Sequence, residues 1–414
     1  MEIKPFLGNV RGLRLKCAVV LIYEGNWRHL SRLGRGVSSR VKRALELTGF
    51  KGKEGEMEKI HLPGQRIELV YAVGLGKRDK ADADTFRRAS ATAIKRLVKE
   101  KVGRCLFILP TKSDYIYQAV AEGIALGSYK FDRYKTGEEE ERKGPGEVLV
   151  HGATEDAIRK GRLLGEAQNY ARDLINEPGN VINPITLAQE AQKLAESYGL
   201  ECRVYDEKEI QEMGMLALWS VGRGSATPPR FIHLIYKPDG KPKDRVAIVG
   251  KGLTFDSGGL NIKPGDYMRT MKMDKSGACA VLGIMKAIAQ LKPQVEVHGL
   301  IGAAENMPSG NAYRPDDIIR AKNGKYIEID NTDAEGRVTL ADVLAYASDL
   351  KPSKIIDMAT LTGACMVALG EYTAGLFTNS VRLGSAIKRI ARQTGERVWE
   401  LPMDDDRLRK KIKK

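Results

Sequence analysis

The sequence has no long apolar run. Its longest clean hydrophobic stretches, such as Cys17 to Tyr23, fall far short of a bilayer's thickness. The N-terminal Met-Glu-Ile-Lys-Pro also lacks the apolar segment of a signal peptide. A soluble, cytoplasmic protein with no membrane partner is therefore expected. Cysteine is scarce: Cys17, Cys105, Cys202, Cys279 and Cys365 are odd in number, far apart and mostly among apolar neighbours. That excludes a disulfide framework or zinc knuckle and suits reduced core thiols. Histidine is equally sparse, with only His29, His61, His151, His233 and His298. No His-Glu-x-x-His helix is present, which argues against that class of zinc protease. No Gly-x-Ser-x-Gly elbow marks a serine hydrolase.

What is present is enough for well-packed cores. The chain has 414 residues, 42% of them hydrophobic, a length that suggests roughly two or three domains. Net charge is +15, a balance that can point to nucleic acid or another acidic partner. The positive charge concentrates in two places. Between Arg87 and Arg104, basic residues surround an apolar line of Phe86, Ala89, Ala93 and Leu97; the second place is the tail Arg407 to Lys414. Amphipathic helix faces account for both, and no zinc-finger spacing or aromatic-basic ladder supports specific nucleic-acid binding.

The first third alternates strand-like and helical stretches. Strands are expected at Leu15–Tyr23, Ile67–Gly74, Cys105–Leu109 and Glu147–His151, and helices at Val41–Thr48, Thr85–Lys101 and Tyr115–Leu126. A charged exposed loop is expected over Thr136–Gly146, and a long helix from Thr154 to about Leu174. The second half continues the alternation. Arg245–Gly250 reads as a strand running into a Gly-rich loop, and Ser276–Leu291 as a helix. Val295–Ala303 reads as a strand, Ile318–Asp330 as a hairpin turning at Asn323-Gly324, Val338–Leu350 as a helix and Lys354–Thr360 as a strand. Such alternation predicts an α/β fold with functional loops at strand ends.

Three polar segments stand out at those ends. They are Val249-Gly-Lys-Gly-Leu-Thr-Phe-Asp-Ser-Gly-Gly-Leu-Asn-Ile-Lys263, Met271-Lys-Met-Asp274 and Asn331-Thr-Asp-Ala-Glu-Gly-Arg337. In an extended segment Asp333 and Glu335 would point to the same side. Adjacent carboxylates repel unless a cation lies between them. Arg337, two residues on, is suited to holding a small oxyanion through parallel hydrogen bonds. With Asp256 and Asp274 the carboxylates number four, enough for two divalent ions. Each part also has an ordinary explanation: helix-start carboxylates for Asp333 and Glu335, surface lysines for Lys251 and Lys263, a salt-bridge partner for Arg337 and a cap for Asp274.

The third segment resembles the signature of the leucyl aminopeptidase family, with Val338 where Leu usually follows. The Gly250–Gly259 segment is similarly typical, as are Met273-Asp274, Ala303-Ala-Glu-Asn-Met-Pro308 and Ala359-Thr-Leu-Thr-Gly363. Phe131-Asp-Arg-Tyr-Lys135 and Ala171-Arg-Asp-Leu-Ile-Asn-Glu-Pro178 extend the resemblance across the chain. It implies a smaller N-terminal α/β (macro-like) domain and a larger catalytic α/β domain with a mixed central sheet flanked by helices. The expected boundaries are 1–152, a linker helix at 153–178, and 179–414, with the family continuing beyond this chain's end.

The resemblance also implies a metal-dependent aminopeptidase acting on peptides with leucine-like first residues. Two divalent ions (Mn²⁺ or Zn²⁺, or Mg²⁺) and a bicarbonate would serve as cofactors. Asp256 and Glu335 would bridge the ions. Asp333 would complete the more exchangeable site, and Lys251 with Asp274 the tighter one. Lys263 would stabilise the oxyanion and Arg337 would hold the bicarbonate. Lys263, Asp274, Leu361 and Gly363 would contact substrate, and the assembly would be a homohexamer. Two other readings follow from charge and fold: a silent nucleic-acid-binding protein, and a nucleotide-derivative site in the first domain.

Overall fold

Six strands build the first sheet, whose central strand is buried on both faces. They are β1 (Glu2–Phe6), β2 (Cys17–Ile22), β3 (Met57–His61), β4 (Leu69–Gly74), β5 (Arg104–Ile108) and β6 (Glu147–His151). The order is β1-β6-β5-β2-β4-β3, parallel except for the antiparallel edge strand β3. Central strand β2 shows why. Its Cys17, Val19 and Leu21 pack with Phe86, Ala93 and Ile124 on one face. Ala18, Val20 and Ile22 pack with Val41 and Leu45 on the other. A strand covered by helices on both sides must be apolar throughout, and all six residues of β2 are buried.

The second sheet is mixed. It contains β7 (Glu201–Tyr205), β8 (Arg230–Tyr236), β9 (Arg245–Asp256), β10 (Glu296–Asn306) and β13 (Lys354–Met358), in the order β13-β9-β10-β8-β7. The strands β13, β9 and β10 are parallel, and β8 and β7 run antiparallel to their neighbours. Helices Pro184–Tyr198 and Ser276–Leu291 bury one face, and Leu216–Gly222 and Glu335–Asp349 the other. The hairpin β11 (Ile318–Arg320) and β12 (Tyr326–Glu328) turns at Asn323-Gly324 as expected, with Gly324 at φ 83°. Strands β14 (Ala374–Leu376) and β15 (Val398–Glu400) form a small parallel pair.

This computed structural model describes every residue except 14, 137–143, 404–406, 408, 409 and 411–414. Most of the expected charged loop and of the basic tail therefore lies outside the described residues. The chain forms two compact units, residues 1–165 with 362–414, and residues 166–361; their division falls inside the helix Glu155–Asn176. The α/β architecture with its mixed sheet is the one the sequence predicts. All five cysteines are free thiols, and among the described residues no helix is long and apolar enough to cross a membrane.

Two local expectations need correction. The helix expected at Val41–Thr48 begins at Arg35, directly after Gly34. More consequentially, β9 does not give way to a loop at Gly250 but continues to Asp256, paired with β10 as far as Asn306. Glycine serves close packing there rather than a turn: a Cβ on Gly250 would lie 2.5 Å from the Gly277 carbonyl of the covering helix.

Candidate metal centre

The parallel strands β9, β10 and β13 end on the same side of their sheet, the usual place for functional loops. Asp256 closes β9 and Asn306 closes β10, and the Asn306 amide donates to Asp256 Oδ1 at 2.9 Å. The backbone N–H of Gly258 donates to the same oxygen at 2.9 Å. Asp274 sits in a short 3₁₀ turn, Met271–Lys275, immediately before the helix Ser276–Leu291. Its Oδ1 accepts from Thr360 Oγ1 at 2.7 Å.

The expected extended run through Asp333 and Glu335 is not what the structure contains. Asn331 is extended, but its side chain accepts from the Asp333 N–H at 2.7 Å and starts a 3₁₀ turn over Thr332–Ala334. Glu335 is the first residue of the helix Glu335–Asp349. Convergence comes from the turn instead: carboxylate oxygens of Asp256, Asp333 and Glu335 all lie within 4.8 Å of one another.

Two lysines balance this negative charge. Lys251, from within β9, places Nζ 2.8 Å from Asp274 Oδ2, 2.8 Å from Glu335 Oε1 and 2.8 Å from the Thr360 carbonyl oxygen. Lys263 places Nζ 2.8 Å from Asp256 Oδ2 and 2.5 Å from Asp333 Oδ1. Burial works against the charge on Lys251, but the Glu335 and Asp274 carboxylates outweigh it and hold the ammonium above the ordinary lysine range. Lys263 behaves alike, with Asp256 and Asp333 overcoming burial. The carboxylates are strained in the opposite sense. Burial raises Asp274 despite Lys251. Burial, opposed by Lys251 and reinforced by the Asp256 charge, pushes Glu335 up to about 7.

These groups fit divalent cations. Four carboxylates and one amine supply oxygen and nitrogen donors of the kind Mn²⁺ and Zn²⁺ accept. Among the described residues Glu335 Oε2 is buried without a hydrogen-bond partner, a lone pair that a cation would satisfy. Ligation by Lys251 would require the loss of its proton.

The remaining expected residues are spread around this cluster. Arg337 is exposed in the first turn of its helix and makes no ion pair with a described residue. Leu361 is 40% exposed. Its Cδ1 lies 3.1 Å from where a Cβ on Gly336 would stand. Gly363 belongs to the first unit, just before the helix Ala364–Leu369. Reasoning from sequence gave no role to Asn306, Thr360, Tyr313 or Gly336. Tyr313 is almost fully buried and its hydroxyl donates to the Thr332 carbonyl at 2.6 Å, fixing the turn that carries Asp333. Asn306 and Thr360 lie within segments that attracted notice. The signal that identifies Asn306 is a polar side chain closing a buried strand, and Thr360 follows two residues after the end of β13.

The model of the cytosol aminopeptidase family's catalytic domain matches residues 169–414, and that of its N-terminal domain matches residues 19–138. A probable cytosol aminopeptidase of Aquifex aeolicus is 67% identical over 416 residues, covering 100% of this chain and 84% of that protein. One from Persephonella marina is 51% identical over 430 residues, covering 100% and 86%. Among solved structures, a tomato leucine aminopeptidase mutant superposes with a TM-score of 0.87 at 31% identity, covering 98% of this chain and 82% of that one. The bottromycin maturation enzyme BotP in complex with Mn gives a TM-score of 0.84 at 35% identity, covering 95% and 83%.

Proposed function

The chain belongs to the cytosol aminopeptidase family, and from that premise we propose a two-metal mechanism for it in which Lys251, Asp256, Asp274, Asp333 and Glu335 hold the ions. It is a peptidase, and its family's chemistry is metal-dependent removal of N-terminal residues. The observation that carries the site assignment is the convergence of Asp256, Asp333 and Glu335 within 4.8 Å, flanked by two lysines. A manganese-bound structural relative makes Mn²⁺ the first ion to try.

In this reading Asp256 and Glu335 would serve both ions, Asp333 would complete one position, and Lys251 with Asp274 the other. Bound there, the ions would polarise the scissile carbonyl and lower the pKa of the attacking water. Lys263 keeps its charge and donates to the oxyanion that forms on the substrate carbonyl. Arg337, exposed and in no ion pair with a described residue, would hold bicarbonate through its guanidinium, and the bicarbonate would supply a general base for the attacking water. Asp274 borders the position of the substrate's free α-amine, which confines cleavage to the first residue. Leu361 borders the pocket for a leucine-like side chain.

The cytoplasm is the compartment that five free thiols fit. Assembly into a hexamer would cover large apolar side chains that stand exposed, among them Val367 at 90% and Val381 at 84%. A nucleic-acid role has less support. In the basic helix Ala83–Lys99, Arg87 engages Asp84 and Glu122, Arg88 engages Asp84 and Glu54, and Arg96 engages Glu100.

The test is hydrolysis of leucine p-nitroanilide by the purified chain, first with Mn²⁺ and then with chelator. Activity should appear with the metal, vanish with the chelator and be lost in Asp256→Ala. Full activity in that variant would sink the site assignment.

A further inference from the structure

Asp274, like Asp333, is carried on a short 3₁₀ turn rather than on a strand or a long helix. Something must fix that turn, and the side chain next to Asp274 does so. Lys275 has no exposed surface, which is unusual for lysine. Its Nζ makes no ion pair with a carboxylate of the described residues. Instead it donates to the carbonyl of Glu177 at 2.8 Å, that of Ile175 at 3.4 Å and that of Lys272, in its own turn, at 2.5 Å. Lys272 reaches the same place, donating to the carbonyl of Asn176 at 2.6 Å.

The acceptors outside the turn, Ile175, Asn176 and Glu177, are the last residues of the helix Glu155–Asn176 and the residue after it. A helix end leaves its final carbonyls without intrahelical donors and carries partial negative charge. Two ammonium groups therefore find there the acceptors that a buried cation requires. The geometry divides the turn into two sides. Lys275 points into the helix end, and Asp274 points toward Lys251 and Thr360. Rotating the turn to move Asp274 would pull a buried ammonium off the carbonyls of Ile175 and Glu177.

We propose that Lys275, assisted by Lys272, is a positioning residue that clamps the Met271–Lys275 turn onto the end of the helix Glu155–Asn176 and so fixes Asp274 for metal binding. The proposal rests on the reading of Asp274 as a metal ligand. Supporting groups behind metal ligands typically contribute 10–100-fold to affinity when they act through a ligand's orientation.

The test uses the full chain stripped of metal and titrated with Mn²⁺, free ion being followed by its electron paramagnetic resonance signal. Lys275→Met keeps the length of the side chain and removes its donors and charge. It should weaken one of the two Mn²⁺ sites by about 10–100-fold and leave the other close to the parent. Half-maximal activation should move to higher Mn²⁺, with kcat at saturating metal less affected than the metal requirement. Lys275→Met that lowers thermal stability but binds Mn²⁺ as the parent does would overturn the proposal, leaving Lys275 a structural cap. If Lys275→Met does not fold, Lys272→Met decides, since it removes only the outer brace. It should weaken the same site by a smaller factor, and unchanged binding overturns the proposal. Asp274→Asn separates the two readings. If it too leaves Mn²⁺ binding intact, Asp274 is not a ligand, and the site assignment fails rather than the clamp alone.

Discussion

Lys251 Nζ lies 2.8 Å from Glu335 Oε1, and the two side chains are only 3% and 2% exposed. One comes from the middle of a strand and the other from the first residue of a helix. Their approach depends on Gly336. A Cβ at that position would stand 2.7 Å from Lys251 Cε and 2.9 Å from its Nζ.

Gly336→Ala should therefore displace Lys251 although it adds a single methyl group. Overpacking at so close a contact costs about 1–3 kcal/mol. Urea unfolding in the presence of chelator should show that loss, and Mn²⁺ titration should show weakened binding. Parent-like values in both would mean that Lys251 has another route to Glu335.

Lys263→Met probes oxyanion stabilisation. Loss of one such donor lowers kcat by about 10²–10³-fold. Because Lys263 also neutralises Asp256 and Asp333, Mn²⁺ binding should not weaken when it is removed. Steady-state kinetics at saturating Mn²⁺ separates the two effects: kcat falls while the metal requirement holds.

Arg337→Ala should leave the fold untouched, since an exposed side chain without such partners usually changes stability by no more than about 0.5 kcal/mol. Its effect should fall on rate. The parent should be stimulated by added bicarbonate and the variant should not, with a loss of about 10²–10⁴-fold in kcat if the general base is held there. Equal bicarbonate response in both would remove Arg337 from the mechanism.

His29 offers a pH test away from the centre. Burial lowers its pKa to about 4, partly opposed by a hydrogen bond to the Leu21 backbone. The unfolded chain, with an ordinary histidine near 6.5, binds this proton more readily than the folded one. Its contribution to stability is thus whole above pH 6.5 and is lost as pH falls toward 4. The loss is at most about 3 kcal/mol. Denaturant unfolding across pH 4–6.5 should give a shallower slope for His29→Leu than for the parent.

Much of this protein is legible in its sequence. The apolar run of β2 marks a strand covered on both faces, and Asn323-Gly324 marks a hairpin, because local backbone preference and side-chain period act over a few residues. The segments bearing Lys251, Asp256, Asp274, Asp333 and Glu335 are recognisable for the same reason: each is a short unbroken pattern. Where the reading went wrong, a distant contact overrode the local signal. Gly250 and Gly252 look like loop residues, but pairing with β10 and a helix packed against the backbone keep them in a strand.

The sequence by itself determined the kinds of donors and the order in which the chain supplies them. Tertiary structure alone decided what stands beside what. Lys251 meets Glu335 because β9 continues as a strand through Lys251 and Gly336 leaves room. Lys275 Nζ is held by backbone carbonyls because the helix Glu155–Asn176 ends beside it. Charge balance and hydrogen-bond satisfaction in a buried site depend on distances of a few ångströms between remote residues. Such distances are set only once the sheets and helices have packed.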